Sequence, residues 1–157
     1  MVDFNAEEIF RMAEQLERNG SEFYRSAAEA AARPEENDLL LRLAAMEDAH
    51  QKTFQTMRSE LGDLERSATA FDPDGEATQY LRALADTRVF FEKKIDTNSM
   101  KEILKAAIEA EKESILFYLG MRATLPTMLG QSRLDEIIQE EMGHIRMLSR
   151  ELVRLRE

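Results

Sequence analysis

Six side chains in this sequence have the types and spacing to do metal chemistry. Glu17, Glu47 and His50 form one set, and Glu111, Glu141 and His144 repeat it 94 positions later. Phe117 and Tyr118 follow Phe23 and Tyr24 at the same offset. His50 and His144 are the only two histidines, and each closes a Glu-x-x-His. On a helix, positions i and i+3 share a face, so each Glu-x-x-His can present a carboxylate and an imidazole to one ion or to neighbouring ions. Glu17 and Glu111 lie 30 residues upstream of Glu47 and Glu141, far enough to come from partner helices. One Glu from each of two helices and a Glu-x-x-His from each of two more is how a four-helix bundle holds two metal ions in its core.

Charge supports this reading. Four ionised carboxylates buried together are strongly disfavoured, because each buried ion costs several kcal/mol even after relaxation. Two divalent cations would cancel the four charges. Without metal, some of these carboxyls are expected to hold protons at neutral pH and to titrate as a coupled group. An oxygen-rich set with one imidazole per ion suits iron first and manganese second, whereas structural zinc favours thiolates or more histidine. Tyr24 and Tyr118 lie seven residues after Glu17 and Glu111, nearly on the same helical face. They are candidate catalytic groups that hydrogen-bond a liganding carboxylate or supply an electron, or else core tyrosines with satisfied hydroxyls. A lone Glu-x-x-His on an acidic helix ordinarily marks a solvated face. Here both copies interrupt apolar stripes and have matched upstream glutamates, which favours the metal reading.

The elements that would position these groups are long helices. The first is expected over 6–32, capped by Asn5 with Glu8 and stopped by Pro34. Its inward stripe is Phe10, Ala13, Glu17, Gly20, Tyr24, Ala27 and Ala31. Gly20 either makes room for a neighbour or is neutral. The second helix is expected over 35–61 with Gly62 as its stop. Leu40, Leu43, Glu47, His50, Phe54, Met57 and Leu61 face inward. A third long helix begins at Ser99, capped with Glu102, and ends before Pro126. A fourth runs from about Ser132 to the end, with Arg150, Arg154 and Arg156 at its dipole-negative terminus.

Between the two hairpins, 63–98 reads as a crossover. It holds a turn at Phe71–Gly75, a short helix over 76–86 carrying Tyr80, Leu81 and Leu84, and apolar anchors at Phe90, Phe91 and Ile95. Such a segment can travel back along a helix of about 39 Å. The expected organisation is one domain over 1–157, with hairpins 5–62 and 99–157.

The 157 residues are 43% hydrophobic and 33% charged, a balance that reads as globular and helical rather than disordered. A net charge of −10 argues against nucleic acid or an anionic membrane as partner. The absence of cysteine excludes disulfides and thiolate metal sites within this sequence. No apolar run reaches membrane-spanning length and no signal-peptide pattern opens the chain, so a cytoplasmic protein is expected. Phe90 and Phe91 also suggest a homodimer or higher homo-oligomer, with exchanged segments as one arrangement.

The stretches Glu17-x-x-Gly20-x-x-Phe23-Tyr24, Met46-Glu47-Asp48-Ala49-His50, Glu111-x-x-Ser114-x-x-Phe117-Tyr118 and Glu140-Glu141-Met142-Gly143-His144 resemble the ferritin-like superfamily, and within it the rubrerythrin-like branch. The resemblance covers nearly the whole chain. It implies an all-α, ferritin-like antiparallel four-helix bundle. It further implies that Glu17 and Glu111 are outer ligands, that Glu47 and Glu141 bridge two iron ions, and that His50 and His144 each cap one.

Relatives of this kind use non-haem di-iron with oxygen or hydrogen peroxide, for Fe(II) oxidation or peroxide reduction. The expected function is therefore a di-iron oxidoreductase of ferroxidase or peroxidase type. The alternatives are a non-catalytic metal-binding or iron-delivery protein acting through partners, and a di-manganese catalase-like enzyme. Two departures stand out. Ser114 occupies the place of a further Glu in rubrerythrins, and this chain carries no cysteine-bound iron domain, so peroxide reduction would need an external electron donor. The symmetric six-ligand set resembles bacterioferritin-type ferroxidase sites.

Overall fold

The computed structural model describes residues 5–62, 76–87, 99–124 and 130–156. Within them the chain forms α1 (Ala6–Ala30), α2 (Pro34–Ser59), the short α3 (Glu76–Thr87), α4 (Met100–Thr124) and α5 (Gln131–Arg154). α1 pairs with α2 and α4 with α5, giving two helical hairpins that meet across α1–α4 and α2–α5, while α3 packs on α4. This is an all-α, ferritin-like four-helix bundle.

Helix starts follow local chemistry. Asn5 Oδ1 accepts from the Glu8 amide at 2.9 Å and Glu8 reaches back to the Asn5 amide at 3.3 Å, so the expected capping box forms. Ser99 Oγ accepts from the Glu102 amide at 3.4 Å at the head of α4. Two boundaries differ from expectation, and a third, the start of α5, falls within one residue of it. Pro34 does not merely end α1, which stops at Ala30; it is the first residue of α2, where a missing N–H costs nothing. α2 ends at Ser59, and Glu60 caps it in right-handed geometry, so Gly62 is not its stop. α5 starts at Gln131 from Gly130, whose φ of 76° falls in the left-handed region that glycine tolerates best.

The inward stripes read for the first two helices are buried apart from half-buried Ala31, and α4 and α5 bury matching faces, Leu104, Ala107, Glu111, Ser114, Tyr118 and Met121 on one and Leu134, Ile137, Glu141, His144 and Leu148 on the other. They build two apolar clusters. One, around Phe10, Phe54, Tyr118 and Leu134, fills one end of the bundle. The other, around Tyr24, Leu40, Leu43, Leu104 and Leu148, fills the other. Fully burying such a side chain is worth roughly 1.5–3 kcal/mol. Glu17, Glu47, Glu111, Glu141 and both histidines are buried yet belong to neither cluster, forming a polar layer in the core.

α3 anchors through Leu81, which is fully buried, and through Leu84 packed at the edge of the first cluster. Tyr80 is more exposed than an apolar anchor should be, at 40%, because its hydroxyl donates to the Leu116 carbonyl at 3.1 Å and turns the side chain outward. Gly120 permits this docking, since a Cβ there would stand 2.6 Å from the Tyr80 ring. The expected turn at Phe71–Gly75 and the anchors Phe90, Phe91 and Ile95 lie outside the described residues. No helix among the described residues is long and apolar enough to cross a membrane.

Candidate metal centre

The structure brings together all six sequence-nominated ligands. Glu17, Glu47, His50 and Glu141 form one group, and Glu47, Glu111, Glu141 and His144 form a second. Within each group the potential donor atoms all lie within 4.8 Å of one another. Glu47 and Glu141 belong to both groups, as carboxylates placed between two ions would.

The geometry is reciprocal. His50 Nδ1 lies 3.4 Å from Glu17 of its own hairpin and 3.0 Å from Glu141 of the other. His144 Nδ1 lies 3.3 Å from Glu111 of its own hairpin and 3.1 Å from Glu47 of the other, with Glu141 at 3.2 Å. The imidazole rings face each other with centroids 5.7 Å apart and planes 18° from parallel. The tyrosines cross the bundle in the same way. Tyr24 of α1 donates to Glu111 of α4, and Tyr118 of α4 donates to Glu17 of α1. Both are therefore satisfied core tyrosines and direct neighbours of the outer carboxylates.

Burial sets the electrostatics. Desolvation, aided by the Glu17 and Glu111 charges, raises the Glu47 carboxyl well above its ordinary range. Desolvation with Glu111 and Glu47 does the same to Glu141. Glu17 is also raised, by burial and by Glu141, against hydrogen bonds from His50 that lower it. At Glu111 burial is outweighed by hydrogen bonding from Glu141, His144 and Tyr24, and its carboxyl is lowered. Burial disfavours the charged imidazoles, but their carboxylate partners prevail: Glu141 and Glu17 push His50, and Glu111, Glu141 and Glu47 push His144, up to about 12. Burial and the surrounding carboxylates raise Tyr24 and Tyr118 well above the ordinary phenol range, so both hydroxyls remain donors.

The cluster thus balances itself with protons where no cation is at hand. Even so, Glu17 Oε2, Glu47 Oε1, His50 Nδ1 and both Glu141 oxygens are buried close to one another but without a well-aligned hydrogen bond. Buried polar atoms are nearly always satisfied. Poorly satisfied oxygen and imidazole donors converging from three helices, able to exchange their protons for metal, fit a pair of cations with hard oxygen and imidazole preferences.

Four further features surround the six residues, and two of them, Gly20 and Ser114, stood out in the sequence. A Cβ on Gly20 would stand 2.9 Å from Glu47 Oε2, so the glycine makes room for that carboxylate. Ser114, at the equivalent place in the second hairpin, is buried and small. Ser21 and Arg25 of α1 hold Asp48 of α2 beside the site, Ser21 Oγ donating at 2.7 Å. Glu140 Oε2 lies 2.5 Å from His50 Nε2. The only signal for Glu140 was the mismatch in the repeat, where Met46 stands before Glu47.

Fold and donor set together define a ferritin-like protein with a carboxylate-histidine centre of di-metal type. Comparison makes the family specific: the rubrerythrin model matches residues 8–152, and the chain belongs to that family. No curated relative matches the chain significantly. Among solved structures, it is similar to a Thermotoga maritima protein provisionally described as a ferritin-like diiron-carboxylate protein. The two share 27% identity over 97% of each chain, with a TM-score of 0.71.

Proposed function

We propose that the six residues hold two iron ions and that the protein oxidises Fe(II) with oxygen or hydrogen peroxide as acceptor. The observation that carries this reading is the sharing of Glu47 and Glu141 by two overlapping donor groups. Iron held there supplies one electron per ion, two Fe(II) becoming two Fe(III), which matches the reduction of one hydrogen peroxide with two protons to two waters.

The protein's own contribution is placement and charge. Glu17 with His50 would hold one ion and Glu111 with His144 the other, and the two shared carboxylates would set their spacing. Tyr118 and Tyr24 donate to Glu17 and Glu111 and so fix the outer carboxylates. The apolar clusters above and below the layer keep bulk water away. The sequence contains no cysteine, so a catalytic cycle of peroxide reduction would draw electrons from an external donor.

Anaerobic loading with Fe(II), followed by air or peroxide, tests the reading. The expected result is consumption of oxidant with growth of a di-ferric absorption band. Bound iron without consumption would favour metal storage or delivery through partners. The same experiment with Mn(II) separates a catalase-like protein, which would evolve oxygen from peroxide.

A further inference from the structure

The two halves of the centre are related by the repeat, but one contact breaks the relation. His50 Nε2 has a carboxylate, Glu140, at 2.5 Å. A carboxylate accepts, so when the imidazole gives up one proton to bind an ion, the remaining proton stays on Nε2 and the lone pair appears on Nδ1. That lone pair is aimed into the cluster, 3.0 Å from Glu141 and 3.4 Å from Glu17. His144 also turns Nδ1 inward, but its Nε2 is buried without a hydrogen-bond partner. The residue equivalent to Glu140 in the first hairpin is Met46, whose thioether is at best a weak acceptor.

We infer that Glu140 is a positioning residue that makes the two metal positions unequal: the position served by His50 binds its ion more tightly and fills first. This rests on the two-metal reading above. A carboxylate on the outer nitrogen of a liganding histidine fixes its tautomer and ring orientation and makes the inner nitrogen a stronger base. It also adds a negative charge close to the ion. His144 has none of this help and must keep a proton on a nitrogen that finds no acceptor. Loss of such an outer partner typically weakens metal binding about 10–100-fold. Glu140 is 53% exposed and stands at the surface end of this contact, so substitutions there leave the packed core alone.

The experiment titrates metal-free, full-length protein with Co(II), followed calorimetrically and by the visible Co(II) bands. Anomalous diffraction from crystals grown at one equivalent locates the first ion. The expected result is two separate binding steps, with the first ion beside His50. Glu140→Leu is expected to weaken the first step about 10–100-fold and to leave the second unchanged. Glu140→Gln keeps an acceptor without the charge and should give a smaller loss in the same step. If the leucine variant does not fold, the glutamine variant carries the test alone. Met46→Glu should strengthen the second step. Equal steps, a first ion beside His144, or a Glu140 variant that weakens both steps alike or neither would overturn the inference while leaving the two-metal reading intact. Failure to take up any Co(II) would overturn both.

Discussion

The Tyr24 hydroxyl reaches across the bundle from α1 and donates to Glu111 of α4, so a residue of the first hairpin fixes a carboxylate of the second. Tyr118 returns the contact to Glu17. Removing either hydroxyl leaves a buried carboxylate oxygen without its donor. Tyr24→Phe and Tyr118→Phe are each expected to destabilise metal-free protein by about 1–3 kcal/mol. Thermal or urea denaturation of the two variants checks this, and a loss below experimental error in both would contradict it.

The shared carboxylates should behave differently from the outer ones. Glu47 and Glu141 are buried and raised well above their ordinary range, so metal-free protein has little to lose when they become neutral. Glu47→Gln and Glu141→Gln are expected to leave the metal-free melting temperature unchanged or slightly higher while abolishing tight binding of both ions. Glu17→Gln should weaken one ion selectively. Metal-to-protein ratios after dialysis against limiting Co(II) distinguish the two patterns.

Proton linkage gives a third expectation. Glu47, Glu141, Glu17 and both histidines have folded values above their unfolded ones, 4.5 for the carboxyls and 6.5 for the imidazoles. Their stabilising contribution is complete below those unfolded values and declines as pH rises, because the folded state then holds more protons than the unfolded chain. Glu111, lowered, acts in the opposite direction. Metal-free protein should therefore lose stability between about pH 5 and about pH 8, as the unfolded groups release their protons. Metal affinity should rise over the same range, with protons released from the raised carboxyls and the imidazoles as the ions bind. Calorimetry in buffers of different ionisation enthalpy counts them.

Gly20 offers a test in which stability and binding move in opposite directions. Alanine in a helix interior is favoured over glycine by about 1 kcal/mol, so Gly20→Ala should not weaken the metal-free fold through helix propensity. Its Cβ would press on Glu47 Oε2 from 2.9 Å and displace the carboxylate shared by both donor groups. The variant is expected to melt no lower than the parent without metal, yet to bind Co(II) more weakly. Paired melting curves with and without Co(II) measure both effects.

The bundle and its polar layer were legible because they are periodic. Leu43, Glu47, His50 and Phe54 keep helical spacing, and a 94-residue repeat ties them to Ile137, Glu141, His144 and Leu148. What the sequence left hidden depends on neighbours in space. Pro34 looked like a stop because proline breaks a helix interior, but its fixed φ suits a first turn equally well. Gly62 looked like a cap, yet α2 had already ended three residues earlier at Ser59. Tyr80 counted as apolar until the Leu116 carbonyl gave its hydroxyl a partner. Glu140 entered only as the residue before Glu141 in the second Glu-x-x-His stretch, and the position of His50 on another helix is what gives it a role.

The crossed pattern of contacts has a consequence for assembly. Each histidine faces the Glu-x-x-His carboxylate of the opposite hairpin, so neither hairpin can grip an ion as the finished protein does. During synthesis the first half emerges with Glu17, Glu47 and His50 already in place but must wait for the second. An ion bound at the shared carboxylates would act as a clasp that locks the halves only after they dock, and metal-free protein would keep its helices with the clasp open.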